Sequence, residues 1–589
     1  MSQPQPSQNS GIHYEASENP PTPLVIGLGL QLAVLCIAGI VLTPAIVIRA
    51  AGGSPEFLTW AVFVAVLISG ITTMLQAIRV GRIGAGYVLL MGTSGAFIAV
   101  CITALQKGGP AMLCTLIVIS SLFQFALSAR LAFFRKIFTP AVSGTVIMLI
   151  AVTVMPIVFD MLKEVPEDVS SAHAALVALV TIVVMVAIAL KAKGQLRLWA
   201  PVIGIVAGSG LSIAFGMFDF RGVAEAGWIG WPSLAWPGLD LSFNGTFWVL
   251  LPSFILVTIV GAIETIGDSI AIQRVSWRNE RAVDYRAVQG AVNTDGVGNL
   301  LAGIFGTVPN TTYSTSVSVT ELTGVASRRV GIAIGVVFIA FALFPKFLAT
   351  ILAIPGPVVS AYITVLLSML FVMGMRIATQ DIDDYRKAVV IGVSFWLGVG
   401  FQGGVIFPEF FSVFAGGLFQ NGMTAGGLAA ILMTGLLNLA KSRQHRITLP
   451  FTVAALPEMQ DFLAKFASTH KWDESVGMRL HAAAEETLLS MLDNADDEES
   501  ESAKRVFELA ARKEDSGVVM EFRTTGVEEN LQDQVALLRE QSTFGSIEKE
   551  VSLRLLKQLA QSVKHQQYHD TQLVTLEVAL QPKSDAHHH

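Results

Sequence analysis

Residues 306–319 read GTVPNTTYSTSVSV, a stretch rich in Ser and Thr that contains Pro309 and interrupts strongly apolar surroundings. A second such stretch, residues 84–97, reads GAGYVLLMGTSGAF and is rich in Gly. The apolar segments of the chain form two successive sets of seven, and each stretch is the third segment of its set. Interruptions at matching positions of two halves indicate a membrane protein with inverted repeats and a binding site near the bilayer midplane. Irregular backbone at that depth must be buried or line a cavity, so we expect both stretches to line one.

Charge is distributed unevenly along the 589 residues. Residues 441–589 contain 17 Lys and Arg and 25 Asp and Glu, a balance of −8, and the preceding residues contain 22 bases and 20 acids. Only 14% of the whole chain is charged, whereas about a quarter is usual for a soluble domain. We therefore predict a nearly neutral membrane domain followed by an acidic soluble domain. The net charge of −6 gives no indication of a nucleic-acid partner.

About fourteen apolar segments long enough to cross a bilayer lie between residues 24 and 440. With a cytosolic N-terminus, most Arg and Lys residues fall in inner loops, as the positive-inside rule requires. An even number of spans then places both termini in the cytoplasm and the protein in the inner membrane as a multi-pass chain. We expect a disordered tail at 1–22, a transmembrane domain at 23–442, a cytosolic α/β domain at 446–582, and a tail or tag remnant at 583–589.

Two carboxylates lie inside an otherwise apolar span, residues 247–273, FWVLLPSFILVTIVGAIETIGDSIAIQ. Glu264 and Asp268 are four residues apart, which places them on one helix face about one turn apart. A carboxylate at this depth is costly and usually faces a wet cavity where it has a function. Two carboxylates so close disfavour double ionisation, which suits proton carriage. The next segment, QGAVNTDGVGN, adds Asp295.

The sequence offers no site for a metal or other cofactor. Cys36, Cys101 and Cys114 lie in apolar runs without a CxxC pair or a nearby histidine cluster, which is typical of small buried side chains. His173 lies at a loop edge, so a histidine proton relay is not predicted. We expect no cofactor.

The chain from about residue 24 to 440 resembles the nucleobase–ascorbate transporter family, which includes bacterial uracil and xanthine permeases. The residues that carry the resemblance are the motif IETIGDS, the run DGVGNLLAGIFGTVPNTTYSTSVSVTELTGVASRRV, the opening GLGLQLAVLCIAGIVLTP and the end NGMTAGGLAAILMTGLLNL. The family implies an all-α polytopic fold of two inverted seven-helix repeats with core and gate domains. It also implies short antiparallel strands in spans 3 and 10 that meet at the substrate.

The resemblance also implies roles for individual residues. Glu264 is the acid that hydrogen-bonds the nucleobase ring, and Asp268 and Asp295 join it in proton coupling. The interrupted stretches supply the remaining substrate-binding residues, which are Ser94, Gly95, Tyr313, Ser314, Thr315 and Ser316.

The tenth span departs from the family pattern of Gln or Glu, Asn, any residue, Gly and, after four more residues, Thr. Here Thr315, Ser316 and Ser318 replace the amide or acid, the Asn and the Gly, and Thr323 completes the pattern. In the third span, residues 92–95 read GTSG, which removes a stacking aromatic side chain. These changes predict a roomier pocket with fewer bidentate contacts.

The tail, residues 446–580, alternates strand-like and helix-like stretches and resembles the histidine-kinase-type ATPase fold in its anti-sigma-factor kinase form; a generic α/β domain is the alternative. Ser490 replaces the magnesium-binding Asn that should follow Glu486, and Thr524-Thr525-Gly526 replaces the Asp-x-Gly turn. A glycine-rich lid is also absent, and a phosphate cradle without glycines is not expected to function. We predict a regulatory or dimerising module without ATPase activity.

We therefore expect a secondary active symporter, not an enzyme, that takes up xanthine, urate or uracil with protons. The alternatives are a SulP-like anion transporter, a sodium-coupled ascorbate-like carrier, and a membrane sensor that signals through its tail. The expected partners are the nucleobase, the proton, the lipid bilayer, a second copy in a homodimer and a cytosolic protein that contacts the tail.

Overall fold

The computed structural model describes residues 11–134, 139–166, 169–279, 281–379, 384–407, 409–410, 422–439, 444–492, 505–514, 517–525, 530–537 and 547–579. These residues form two compact units. Unit 1 contains residues up to 279 and 287–438, and unit 2 contains residues 280–286 and those from 439 onward. Within the described part, the hydrophobic cores of the membrane segments and of the tail are formed by separate sets of residues.

The first half of unit 1 is helical with one short strand. Its elements are α1 Thr22–Ala50, α2 Pro55–Ile78, β1 Leu90–Thr93, α3 Ile98–Ala129, α4 Leu131–Phe134, α5 Pro140–Asp160, α6 Ser171–Lys191, α7 Gln195–Leu198, α8 Ala200–Ala214 and α9 Arg221–Glu225. Helix α3 is broken at Gly109, whose φ of 74° and ψ of −179° are not helical. Pro110 follows and cannot donate a backbone hydrogen bond, so α3 consists of two segments.

The second half repeats this pattern of long helices around one short strand. Its elements are α10 Gly245–Arg274, α11 Tyr285–Phe305, β2 Asn310–Tyr313, α12 Thr315–Thr323, α13 Arg328–Ala342, α14 Pro345–Leu352, α15 Gly356–Ala378, α16 Tyr385–Gln402 and α17 Gly422–Leu439.

The described helices establish a polytopic membrane protein. Seven are long and apolar enough to cross a bilayer by length and composition. An eighth crossing results if α13 and α14, which are bent by 84° to each other, form one broken span. The expected count of about fourteen remains a prediction, because shorter elements such as α8 and α17 are apolar but below the length of a complete span.

The segment that precedes α1 makes specific contacts. The Arg278 guanidinium donates to both carboxylate oxygens of Glu18, at 2.8 and 2.7 Å, and to the backbone carbonyls of Ile12 and His13. The Ser327 hydroxyl donates to the Glu18 carbonyl. The prediction of a disordered tail at 1–22 is therefore wrong for residues 11–21, because a polar composition also suits a segment that bonds to loops.

Unit 2 contains an antiparallel five-stranded sheet and flanking helices. The strand order is β3-β4-β5-β7-β6. The elements are β3 His445–Pro450, α18 Leu456–Thr469, α19 Glu474–Leu492, β4 Val506–Glu514, β5 Gly517–Thr524, α20 Leu531–Leu537, α21 Ile547–Leu559, β6 Ser562–Gln567 and β7 Gln572–Ala579. The acidic run 493–501, Gly526 and the closing histidines lie outside the described residues.

Candidate functional site

The two interrupted stretches form a two-stranded antiparallel ladder between β1 and β2. Leu90 lies opposite Tyr313 and Thr93 opposite Asn310, so the short strands implied by the family resemblance are present. The Tyr313 hydroxyl donates to the Thr93 carbonyl at 2.8 Å. A Cβ atom on Gly92 would lie 2.5–2.9 Å from the Tyr313 ring and hydroxyl. Glycine at 92 therefore leaves the space that the tyrosine occupies.

Asp268 on α10 is bonded to the second strand and the residue after it. Its carboxylate accepts hydrogen bonds from the Thr312 hydroxyl at 2.8 Å and from the Ser314 hydroxyl at 2.6 Å. The side chain is buried. Both oxygens therefore have hydroxyl donors, so Asp268 holds β2 against α10.

Asp295 on α11 belongs to a buried polar chain that joins four elements, α3, α10, α11 and β2. Its Oδ2 atom accepts from the Thr265 hydroxyl and from Gln124 Nε2. Asn299 in turn donates to Gln124 Oε1 at 2.8 Å and accepts from the Asn310 backbone N–H at 2.6 Å. The other carboxylate oxygen of Asp295 is buried without a hydrogen-bond partner. Asp295 can therefore hold a proton on that oxygen without breaking the bonds to Oδ2.

A cavity of about 280 Å³ opens where the strands meet α10. Ligand cavities in proteins usually measure roughly 300–1,000 Å³, and this one lies just below that range, which suits a small molecule. Glu264 is the one acid or base among its lining residues. Ser94 also lines it, and its hydroxyl is buried without a hydrogen-bond partner. The remaining polar lining groups are mostly hydroxyls, of Thr43, Thr93, Thr311, Thr312, Tyr313, Ser314, Thr315 and Tyr362.

The structure brings six of the seven residues predicted to bind substrate to this cavity. They are Glu264, Ser94, Gly95, Tyr313, Ser314 and Thr315. The seventh, Ser316, is not among the lining residues. Its buried hydroxyl donates to the Tyr313 carbonyl at 2.9 Å and accepts from the Leu90 backbone N–H. We therefore assign Ser316 a structural role, since it fastens the start of α12 to the strand pair.

Asp268 and Asp295 also lie outside the set of lining residues. The three acids therefore divide by position, with Glu264 on the cavity wall and the other two behind it.

Sequence reasoning missed the part of the cavity wall that α1 and α15 supply. Cys36 and Gly39 come from α1, and Tyr362 comes from α15. A Cβ on Gly39 would lie 3.2 Å from the Tyr362 hydroxyl and 3.3 Å from the Tyr313 hydroxyl. A tyrosine inside the apolar run GPVVSAYITVLLSML was the signal that could have indicated this wall.

The described part of the chain contains no cluster of three or more His, Cys, Asp or Glu side chains able to hold a metal ion.

The sequence comparisons match this chain to permeases. A sequence model described as the permease family, Xan_ur_permease, matches residues 24–404. A putative purine permease of Clostridium perfringens is 28% identical over 432 residues, 72% of this chain and 92% of the relative. Xanthine permease XanP of Escherichia coli strain K12 is 28% identical over 451 residues, covering 72% of this chain and 95% of the relative. Among solved structures, the transmembrane domain of the cyanobacterial bicarbonate transporter BicA gives a TM-score of 0.43 at 16% identity, over 70% of this chain and 96% of that one.

Proposed function

The chain belongs to the permease family, and from that premise we propose that it is a secondary active symporter for a purine base. The relatives named above are a purine permease and a xanthine permease, which supports xanthine or urate as substrate, with uracil as the pyrimidine alternative. The observation that carries the proposal is the cavity at the strand junction, with Glu264 on its wall. A carboxylate accepts hydrogen bonds from ring N–H groups, and such charge-assisted bonds are about twice as strong as neutral ones.

The composition of the cavity wall argues against a small inorganic anion as substrate. A SulP-like anion carrier needs a positive group or a helix N-terminus at its site. Helices α3 and α12 begin at the cavity, at Ile98 and Thr315. The one charged side chain of the lining is nevertheless the acid Glu264, which repels a small anion. A hydroxyl both donates and accepts hydrogen bonds, so it suits the edge of a purine, where donors and acceptors alternate.

We propose the proton as the driving ion, with sodium as the alternative in a carrier of the ascorbate type. The support is the arrangement of the three acids, since Asp295 keeps one buried oxygen without a partner. We also propose two inverted seven-helix repeats, cytoplasmic termini and a homodimer in the inner membrane. The tail is then a cytosolic regulatory domain of degenerate kinase-like fold that contacts a protein partner.

Uptake into proteoliposomes tests the symport proposal. Radiolabelled xanthine should accumulate against its gradient when a pH gradient is imposed without sodium, and excess urate should compete. Accumulation of xanthine that requires sodium would favour the sodium-coupled alternative. A protein that shows neither binding nor uptake of purines, uracil or ascorbate would overturn the proposal in favour of a membrane sensor.

A thermal-shift screen separates binding from transport, because a ligand that binds only the folded state raises its melting temperature. Xanthine and urate should raise it, whereas bicarbonate and sulfate should leave it unchanged. A shift with the anions alone would favour the anion carrier.

A further inference from the structure

Two larger cavities, of about 650 and 750 Å³, lie near the end of α1. Arg49 and Glu164 are the two residues that line both of them. Neither cavity shares a lining residue with the substrate cavity. The two charged side chains therefore form a partition between the cavities, in a layer distinct from the substrate site.

Arg49 joins two helices that are far apart in the chain. It lies in the last turn of α1, and its Nη2 atom donates to the Leu352 carbonyl at 2.6 Å. Leu352 is the last residue of α14, where the carbonyls have no partner within the helix. A positive charge at a helix C-terminus is also electrostatically favourable. The contact therefore holds the end of α14 against the end of α1.

Glu164 lies at the other end of the same turn. A Cβ on Gly356, the first residue of α15, would be 2.8 Å from the Glu164 Cβ and 3.1 Å from its Oε2. A carboxylate is favoured at a helix N-terminus. Burial raises the pKa of the Glu164 carboxyl, and the Arg49 guanidinium opposes this shift. A cation therefore bonds to one end of the short turn from α14 to α15, and an anion packs against the other end.

The substrate cavity is closed toward this layer. Phe97 and Phe254 are buried with ring centroids 6.4 Å apart, and Phe254 lines the cavity of 650 Å³. The substrate cavity extends the other way, to Leu370 on α15. Leu370 lies fourteen residues from the start of that helix, or about 21 Å along it. The cavity is therefore directed toward the face on which α1 begins.

We propose that Arg49 and Glu164 form a latch that closes the face on which α1 ends while the substrate cavity faces the other side. Any substrate that crosses the protein must pass this layer, so the latch must release in each transport cycle. This inference rests on the proposed transport function. It adds the pair of residues that sets the balance between the state open to one face of the membrane and the state open to the other face.

Labelling of the native Cys36, which lines the substrate cavity, tests the latch. In a Cys101→Ala, Cys114→Ala background, membrane-impermeant maleimide is applied to right-side-out and inside-out vesicles. Arg49→Gln should raise the labelling rate of Cys36 from the face on which α1 ends by about threefold or more. It should lower the rate from the opposite face.

Lys107→Gln is the matched control, because it removes the same charge from the cavity of 650 Å³, whose lining includes no residue of α14. It should leave both rates unchanged. Glu164→Gln should shift the rates in the same direction as Arg49→Gln, and it tests the latch if Arg49→Gln does not fold. Rates that are unchanged in both variants, or equally changed in the control, would overturn the latch.

Protection by substrate is measured separately. If xanthine does not protect Cys36 in the native protein, the proposed substrate is wrong. The rates of Cys36 labelling from the two faces of the membrane still show whether the latch exists, because labelling does not require transport.

Discussion

At the scale of single residues, the site depends on one acid on the cavity wall and two behind it. Glu264 lines the cavity, whereas Asp268 is bonded to Thr312 and Ser314. Asp295 is bonded through one carboxylate oxygen to Thr265 and Gln124. The substrate can therefore meet one carboxylate directly and influence the others through the strands.

Glu264→Gln keeps the size of the side chain and removes its charge and its titration. We expect it to abolish concentrative xanthine uptake and to weaken binding by about 1.5–3 kcal/mol, the value of a hydrogen bond to a charged group. Uptake and calorimetric binding measure the two effects in variants matched for expression. Asp268→Asn should reduce the proton-driven accumulation of xanthine more than it reduces the affinity for xanthine. Native uptake with unchanged pH dependence in Glu264→Gln would make the acid structural.

Ser94→Ala should weaken xanthine binding about fivefold and leave the melting temperature of the free protein unchanged. The reason is that the Ser94 hydroxyl has no partner in the protein, so only a bound ligand can use it, at about 1 kcal/mol. Thr43→Val is the matched control, because its hydroxyl already donates to the Gly39 carbonyl of its own helix. Equal affinities of Ser94→Ala and the native protein would argue against contact with substrate.

At the scale of elements, the β1–β2 ladder is tight on one side and open on the other. Gly92→Ala would force the Tyr313 ring to move, whereas no atom lies within 4 Å of a Cβ at Gly95. We expect Gly92→Ala to destabilise the protein by about 1–3 kcal/mol, as overpacking does, and to reduce binding. Gly95→Ala should change neither, and thermal melts with and without xanthine measure both effects.

The bulkier substitution Gly95→Phe tests the same wall from the open side. It should fill part of the cavity and shift preference from purines toward the smaller uracil, as competition for uptake would show. An unchanged preference would remove Gly95 from the substrate-binding residues.

Strand β6 carries a buried histidine that makes unit 2 sensitive to acid. His565 accepts from the Leu531 backbone N–H and bonds to Gln572, and burial lowers its pKa to about 4. Because this pKa is below the unfolded value of about 6.5, protonation favours unfolding. The stability is complete above pH 6.5 and decreases by up to ~3 kcal/mol as the pH falls to 4.

Hydrogen exchange of β6 and β7, corrected for intrinsic rates, should show this loss of protection between pH 7 and pH 5. His565→Asn keeps a donor and an acceptor without titrating, so its protection should vary less with pH. Equal pH dependence in both proteins would assign the effect to other groups.

At the scale of the whole molecule, the substrate cavity and the tail belong to different units. The lining residues of the cavity all lie in unit 1, and the sheet of β3 to β7 has its own core. Truncation near Ile447 should therefore leave the thermal shift with xanthine intact, although transport rate or dimer stability can change. Loss of binding in a well-folded truncation would contradict a separate module.

The tail should also fail to bind ATP, because Ser490 and Thr524 replace the residues that such a site needs. Equilibrium dialysis of the full chain with labelled ATP measures this, and micromolar affinity would contradict it.

The sequence by itself determined the features that depend on local composition. Apolar length and sparse charge predicted the membrane class, and the acidic balance after residue 441 predicted a separate domain. The interrupted stretches and the spacing of Glu264 and Asp268 indicated where the site lies. Each of these features depends on residues that are neighbours in the sequence. Its physical cause can therefore be inferred without knowing what the segment contacts in the folded protein.

Only the tertiary structure decided the features that join distant segments. Asp268 meets Thr312 and Ser314, which lie 44 and 46 residues away, and Arg49 meets Leu352 across 303 residues. The bonds of Arg278 to Glu18 order a segment that composition assigned to a disordered tail. Hydroxyls and charges can bond to many partners, and the partner is selected by which helices pack together. The sequence therefore showed which groups could act, and packing decided which of them meet.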